Sequence, residues 1–364
     1  MTIKDIANVL EELAPLSFAE DFDNVGLLVG DINKTVNGIL VTLDSLENVI
    51  EEAIAKKCNL IISFHPIVFK GIKKLTGKGY VERSIIKAIQ KDIAIYCLHT
   101  ALDNAIEGVN AKICDILELN KKRILIPKPG SLKKLVTYVP QEKSDDILEK
   151  LFAAGAGKIG AYRNCSFTVE GIGSYQADEK ARPYKGTIGE LHLEKENQIS
   201  VVFTKDREHG IIRTLLKHHP YEEVAYEIST LDNPLSSIGM GMIGELSEPI
   251  DEKTFFEILK KKMNVSVIRH SAFLNKKIKN VAVLGGSGAF AIKSAKEAGA
   301  DVLVTSDLKY HQFFEAESEI LLADIGHFET EQFTKNLLVD YLTKKLPNFA
   351  ISLSESITNP IKYY

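Results

Sequence analysis

No CxxC pair occurs in this chain, whose four cysteines, Cys58, Cys97, Cys114 and Cys165, lie far apart. Such spacing excludes a thiolate cluster and suits reduced, buried thiols, so any metal site is expected to use nitrogen and oxygen. Basic excess is also missing. Lys and Arg number 45 against 49 Asp and Glu, a net charge of −4, which argues against phosphate backbones and anionic lipid as partners. No uninterrupted apolar run is long enough to span a bilayer, and the opening Met-Thr-Ile-Lys-Asp-Ile-Ala-Asn has no basic region ahead of an apolar core. We expect a cytoplasmic protein with no membrane or nucleic-acid partner.

What is present is ordinary soluble composition, 45% hydrophobic and 26% charged, in 364 residues; that length predicts two or three domains. Ile3, Ile6, Leu10 and Leu13 predict a helix capped by Thr2. Strands over Gly38 to Asp44, Leu60 to Ile62 and Ile93 to Leu98 alternate with helices over Leu46 to Lys57 and Val81 to Lys91, the texture of a mostly parallel α/β sheet. From Asn120 the pattern changes. Lys121-Lys122-Arg123 and Pro127-Lys128-Pro129-Gly130 read as a basic, proline-broken linker. Beyond it come a strand (Leu135 to Val139), a helix (Asp145 to Ala154), strands (Ser166 to Tyr175, Ile199 to Phe203), a helix (Arg207 to Lys217) and a strand (Val224 to Ile228), the βαββαβ order of a ferredoxin-like domain. The α/β texture resumes after Pro234, with strands at Val281 to Leu284 and Val302 to Val304. The expected architecture is a two-part, mostly parallel α/β core, residues 1–126 and 235–364, interrupted by a ferredoxin-like domain over 130–232.

Four short strands end in residues that bind metals or move protons: His65; His99 with Asp103; Asp307 with His311; His327 with Glu331. Loops at the carboxyl ends of strands are where open α/β sheets bind ligands. The last pair follows Ile-Leu-Leu-Ala-Asp-Ile-Gly, and a helix starting at that glycine puts His327 and Glu331 four apart on one face. Imidazole and carboxylate without thiolate suit Zn, Mn, Fe or Ni. A carboxylate such as Glu331 can bridge two ions, where bound water becomes a nucleophile near neutral pH. Asp44 also sits at a strand end and is read as structural.

Phe64-His65-Pro66, His99-Thr100-Ala101-Leu102-Asp103, Leu284-Gly285-Gly286-Ser287-Gly288, Ser306 to His311 and Gly326 to Glu331, together with Asp23-Asn24-Val25-Gly26, resemble the signature segments of the Nif-three-like dinuclear-metal family, the GTP cyclohydrolase I type 2 homologues. The resemblance implies metal ligands His65, Asp103, His327 and Glu331. It also implies an inserted signalling or CutA-like domain and a toroidal homohexamer. The implied activity is a metal-dependent hydrolase acting on a small molecule or nucleotide, with metal-bound water as nucleophile and His311 or His99 assisting proton transfer. The competing expectation is a non-enzymatic ring-shaped metal-binding scaffold or regulator. One position departs from the family pattern: Phe64 stands where the family has a histidine. We therefore expect one tight ion and one weak one, unless water or His99 fills the gap.

Two further motifs stay open. Gly285-Gly286-Ser287-Gly288 follows a strand and opens a helix, so its amides either cradle phosphate or serve packing alone. His218-His219-Pro220 imitates a double-histidine motif but closes a helix, and is read as structural.

Overall fold

Three runs, Ile39–Thr42, Leu60–Ser63 and Ala94–Cys97, are buried along their whole length, as strands covered on both faces must be. In the computed structural model, which describes residues 1–364, they form the centre of a five-stranded sheet. With β1 as Gly26–Val29, β2, β3 and β4 are these three runs, and the order is β1, β4, β3, β2, followed by the strand Ile351–Leu353. All pairs are parallel except β1 with β4. Thr2 caps the helix Ile3–Leu13 reciprocally with Asp5, worth about 1 kcal/mol. Its buried stripe of Ile3, Ile6 and Leu10 joins the main hydrophobic core.

The segment expected to be a linker is instead a strand, β5 (Asn120–Pro127). Its first four residues, three of them basic, are exposed, because β5 lies at a sheet edge, where solvent reaches one side. The chain then enters a second unit, residues 128–235. There β6 (Leu132–Pro140), β7 (Ser166–Gln176), β8 (Leu191–Thr204) and β9 (Tyr226–Leu231) form an antiparallel sheet in the order β7, β8, β6, β9. Helices Ser144–Ala153 and Glu208–His218 follow β6 and β8. Leu135, Ile147, Ile199, Ile211 and Leu215 make the core of this unit.

Residues 236–364 return to the first unit, which comprises 1–127 and 236–364. They add β10 (Gly239–Asp251), β11 (Arg269–His270), β12 (Lys277–Ser287), β13 (Val302–Ser306) and β14 (Leu321–Asp324); the strand Ile351–Leu353 is β15. The second sheet runs β11, β14, β13, β12, β10, β5. Only β12, β13 and β14 are parallel to one another; β11 and β5 pair antiparallel at the two edges, and β10 lies antiparallel between β12 and β5. This half is therefore more mixed than expected, because β5 and β10 were not foreseen. No helix is long and apolar enough to cross a membrane.

Candidate metal centre

β14 stops at Asp324, and Gly326 turns the chain at φ +99, a region glycine enters without strain. A Cβ there would also stand 2.2 Å from Glu329 Oε2. The helix His327–Glu331 begins at once, so both side chains share a face. His327 Nε2 lies 3.2 Å from Glu331 Oε2. From the other sheet, the end of β3 delivers His65, whose Nε2 is 3.0 Å from the same oxygen. Ligand atoms of His65, His327 and Glu331 all lie within 4.8 Å of one another.

The far side of each ring is held by an aspartate. Asp44 Oδ1 is 2.9 Å from His65 Nδ1, and Asp307 Oδ2 is 2.7 Å from His327 Nδ1. An aspartate at Nδ1 fixes the ring's orientation and aims Nε2 at Glu331, where it can offer a lone pair to a cation once it gives up its proton. Ser287 Oγ donates to Asp307 in turn. Glu331 is 4% exposed, and its Oε2 has no neighbouring donor besides the two imidazole nitrogens. A buried carboxylate is costly unless positive charge stands beside it, whether from protonated imidazoles or from a cation. Two imidazoles and a carboxylate converging around it are the donor set that a divalent cation takes. The residues therefore fit the implied metal.

Asp103 closes the short helix His99–Asp103, and its Oδ1 is buried without a hydrogen-bond partner. Burial, reinforced by the charge of Glu331, pushes its carboxyl well above the usual range. It lines a cavity of about 220 Å³ together with His99, His327 and Glu331, with the exposed rings of Phe22 and Phe290 also in the wall. His99 Nδ1 is 2.8 Å from Asp23 Oδ1. Burial would raise the Asp23 carboxyl, but His99 and Thr100 hold it down at about 2. The structure thus contains three histidine–aspartate pairs around one place. Two of their members carry positive φ, His99 at +31 and Asp307 at +59, backbone strain of about 1 kcal/mol or more each.

Sequence reasoning nominated His65, His99, Asp103, His327 and Glu331, and the fold gathers all five. It does not bring in His311, which is exposed beside Tyr310 and Phe314 and absent from the cavity wall. Asp44, read as structural, is the partner of His65; the signal was its place at the end of β2, shared with the other site residues. Asp23 was quoted only as part of a motif and had no assigned role. Phe64 is fully buried, its ring 4.9 Å from that of His65 and 5.6 Å from that of His99.

The glycine-rich turn is settled on the packing side. Gly285 N donates to Asn110 Oδ1, Gly286 N to Thr330 Oγ1 and Gly288 N to Ser306 O, so these amides are not free for phosphate. Gly286 has φ +71, and a Cβ on it would stand 2.5 Å from Glu331 Oε1. The glycine lets the carboxylate lie against the backbone. His219 is also structural: its Nε2 is 3.0 Å from Tyr138 O, and Nδ1 accepts from Tyr221 N.

Asp307→Asn should loosen the metal about 10–100-fold, the usual cost of losing a group that orients a liganding histidine. Competition with a chromogenic chelator checks this, and unchanged affinity would mean that Asp307 does not orient His327.

These features define a class: an α/β protein in which two largely buried sheets deliver histidine and carboxylate side chains to one cation-binding cup. The chain belongs to the DUF34/NIF3 (NGG1p interacting factor 3) family, whose profile matches residues 1–360. It is 38% identical over 369 aligned positions to a Bacillus subtilis protein named GTP cyclohydrolase 1 type 2 homolog, covering 99% of this chain and 98% of that one. A Staphylococcus epidermidis protein of the same name is 35% identical, with both chains wholly covered. Among solved structures, a Bacillus cereus protein related to NIF3 matches with a TM-score of 0.84 and 34% identity, over 100% of this chain and 99% of that one. A Staphylococcus aureus protein matches with a TM-score of 0.78 and 30% identity, over 100% and 99%.

Proposed function

We propose that this chain is a metal-dependent hydrolase that holds one divalent ion tightly through His65, His327 and Glu331, with Asp103 and Glu331 offering a weaker second place. The observation that carries this is the buried Glu331 oxygen between two imidazole nitrogens, each ring backed by an aspartate. A bound divalent ion supplies Lewis acidity and activates water for attack. The protein's own part is to orient and to move protons. Asp23 fixes Nδ1 of His99, leaving the other ring nitrogen to exchange a proton with substrate, so we assign proton transfer to His99 rather than His311. The names of the Bacillus and Staphylococcus relatives point to a nucleotide as substrate. The test is hydrolysis screened across nucleotides and phosphoesters with metal-stripped and metal-restored protein, using Glu331→Ala as control. Metal-independent turnover, or none on any substrate, would count against the reading. Assembly as a cytoplasmic homohexamer completes the proposal; light scattering giving any mass other than six chains would overturn it.

Charge gives a second test. Burial alone would push the His65 imidazole down, yet Asp44 and Glu331 hold it up at about 10. His327 is likewise disfavoured by burial and raised by Glu331 and Asp307 to about 9. Both pKa values are raised on folding, so in metal-free protein their stabilisation is complete below an ordinary histidine pKa and is lost as pH climbs through about 9 to 10. A metal needs the neutral rings and competes with those protons. Affinity should therefore increase with pH across this range, and binding at pH 7 should release about two protons. Calorimetry in buffers of differing ionisation enthalpy measures this, and release near zero would contradict it.

A further inference from the structure

The inserted unit has a cavity of its own, about 470 Å³, within the size range of small-molecule sites. All of its lining lies between Tyr138 and Ala225. Tyrosine rings wall it: Tyr221 is 5.9 Å from Tyr175 and 6.2 Å from Tyr184, centre to centre. None of these rings belongs to the unit's hydrophobic core; Tyr221 packs on His219 at 5.1 Å and the Tyr175 hydroxyl donates to Lys185 O at 2.8 Å, so the rings are held in place around the cavity. Among them stands Glu196, only 8% exposed. Its Oε1 accepts from the Tyr221 hydroxyl at 2.7 Å. Its carboxylate also lies against Gly173, where a Cβ would come within 2.0 Å of Oε2. The lining carboxylates Glu196, Glu222 and Glu223 face one lining cation, Arg182.

A buried carboxylate needs a counter-charge, and aromatic faces attract cations electrostatically. An anion would meet the negative excess, and a neutral apolar body would leave the carboxylate uncompensated. The chain shows the compatible chemistry at the margin of the cavity. Lys185 Nζ sits 5.9 Å over the Tyr184 ring while pairing with Glu142 and Glu194 at 2.6 and 2.8 Å. We propose that this cavity binds a small organic cation, an ammonium or guanidinium group on an apolar body, held by tyrosine faces with Glu196 as counter-ion. The site is independent of the metal centre and of the hydrolase reading.

Calorimetric titration of the full chain with agmatine and with tetramethylammonium tests it, alongside neopentyl alcohol as a neutral isostere and inorganic phosphate as an anion. Saturable binding of one cation per chain is expected, with no binding of the alcohol or phosphate. Glu196→Gln should weaken the cation about tenfold, by loss of a charge-assisted contact. Tyr184→Ala, at a ring already 44% exposed, should weaken it about fivefold while preserving the melting temperature. If Glu196→Gln melts early, Tyr184→Ala carries the test alone. The proposal is overturned if neither cation saturates below about 10 mM, if the alcohol binds equally, or if the folded variants bind as the parent does.

Discussion

Replacing His327 and Glu331 together by alanine is expected to abolish metal retention while leaving the protein folded. The double variant removes two of the three converging ligands, including the only carboxylate between the two imidazoles. Losing a group that merely orients a ligand costs about 10–100-fold, so losing two ligands should cost more and bring the metal content of dialysed protein close to zero. The fold should survive. The parallel centres of both sheets, from Ile39 and Leu60 to Val302 and Leu321, are fully buried apolar residues that owe nothing to an ion. In metal-free protein the change also removes a buried carboxylate whose charge is balanced only by its histidines. Elemental analysis and a melting curve read both halves of the expectation. A variant that keeps its metal would eliminate these residues as ligands, whereas one that unfolds would make the ion structural and weaken the hydrolase reading.

The second large effect is expected from Phe64→His. The wild-type chain should hold about one ion tightly and a fraction of a second, because phenylalanine offers no lone pair and Asp103 keeps a buried oxygen without a partner. An imidazole at position 64 should raise the stoichiometry toward two. The fully buried Phe64 ring packs between those of His65 and His99, so the metal-free variant should lose about 2 kcal/mol or more of stability. Added metal should restore part of that loss by mass action. Anomalous scattering and elemental analysis decide the matter. Two fully occupied ions in the wild-type protein, or only one in Phe64→His, would remove Phe64 as the cause of a weak second place.

Much of the site was legible because its residues sit where strands run out, a position that short buried runs such as Leu60–Ser63 and Leu321–Asp324 disclose by themselves. The spacing of His327 and Glu331 reported a helix start, and the helix does begin at His327. What sequence did not disclose was pairing. Asp44 and Asp23 look alike as single letters near turns, and only the fold puts each against a particular imidazole nitrogen. Strands β5 and β10 escaped for a related reason. β5 opens with Asn-Lys-Lys-Arg and ends in Pro, and β10 opens with Gly-Met-Gly. β5 carries solvated residues because it lies at a sheet edge, whereas the opening glycines of β10 are buried where neighbouring backbone comes close, a Cβ on Gly239 standing 2.1 Å from Ile126 O, so in both strands local propensity loses to tertiary pairing. The glycine turn could be read either way from sequence. Its pattern suits an anion, but its amides are taken by Asn110 and Thr330.

His65 and Asp103 precede the inserted unit, and His327 and Glu331 follow it. On the proposed reading the ligand set is therefore complete only once residues on both sides of the interruption have been made and have folded together. A chain cut anywhere within residues 128–235 would carry His65 and Asp103 without the partners that the proposal gives them.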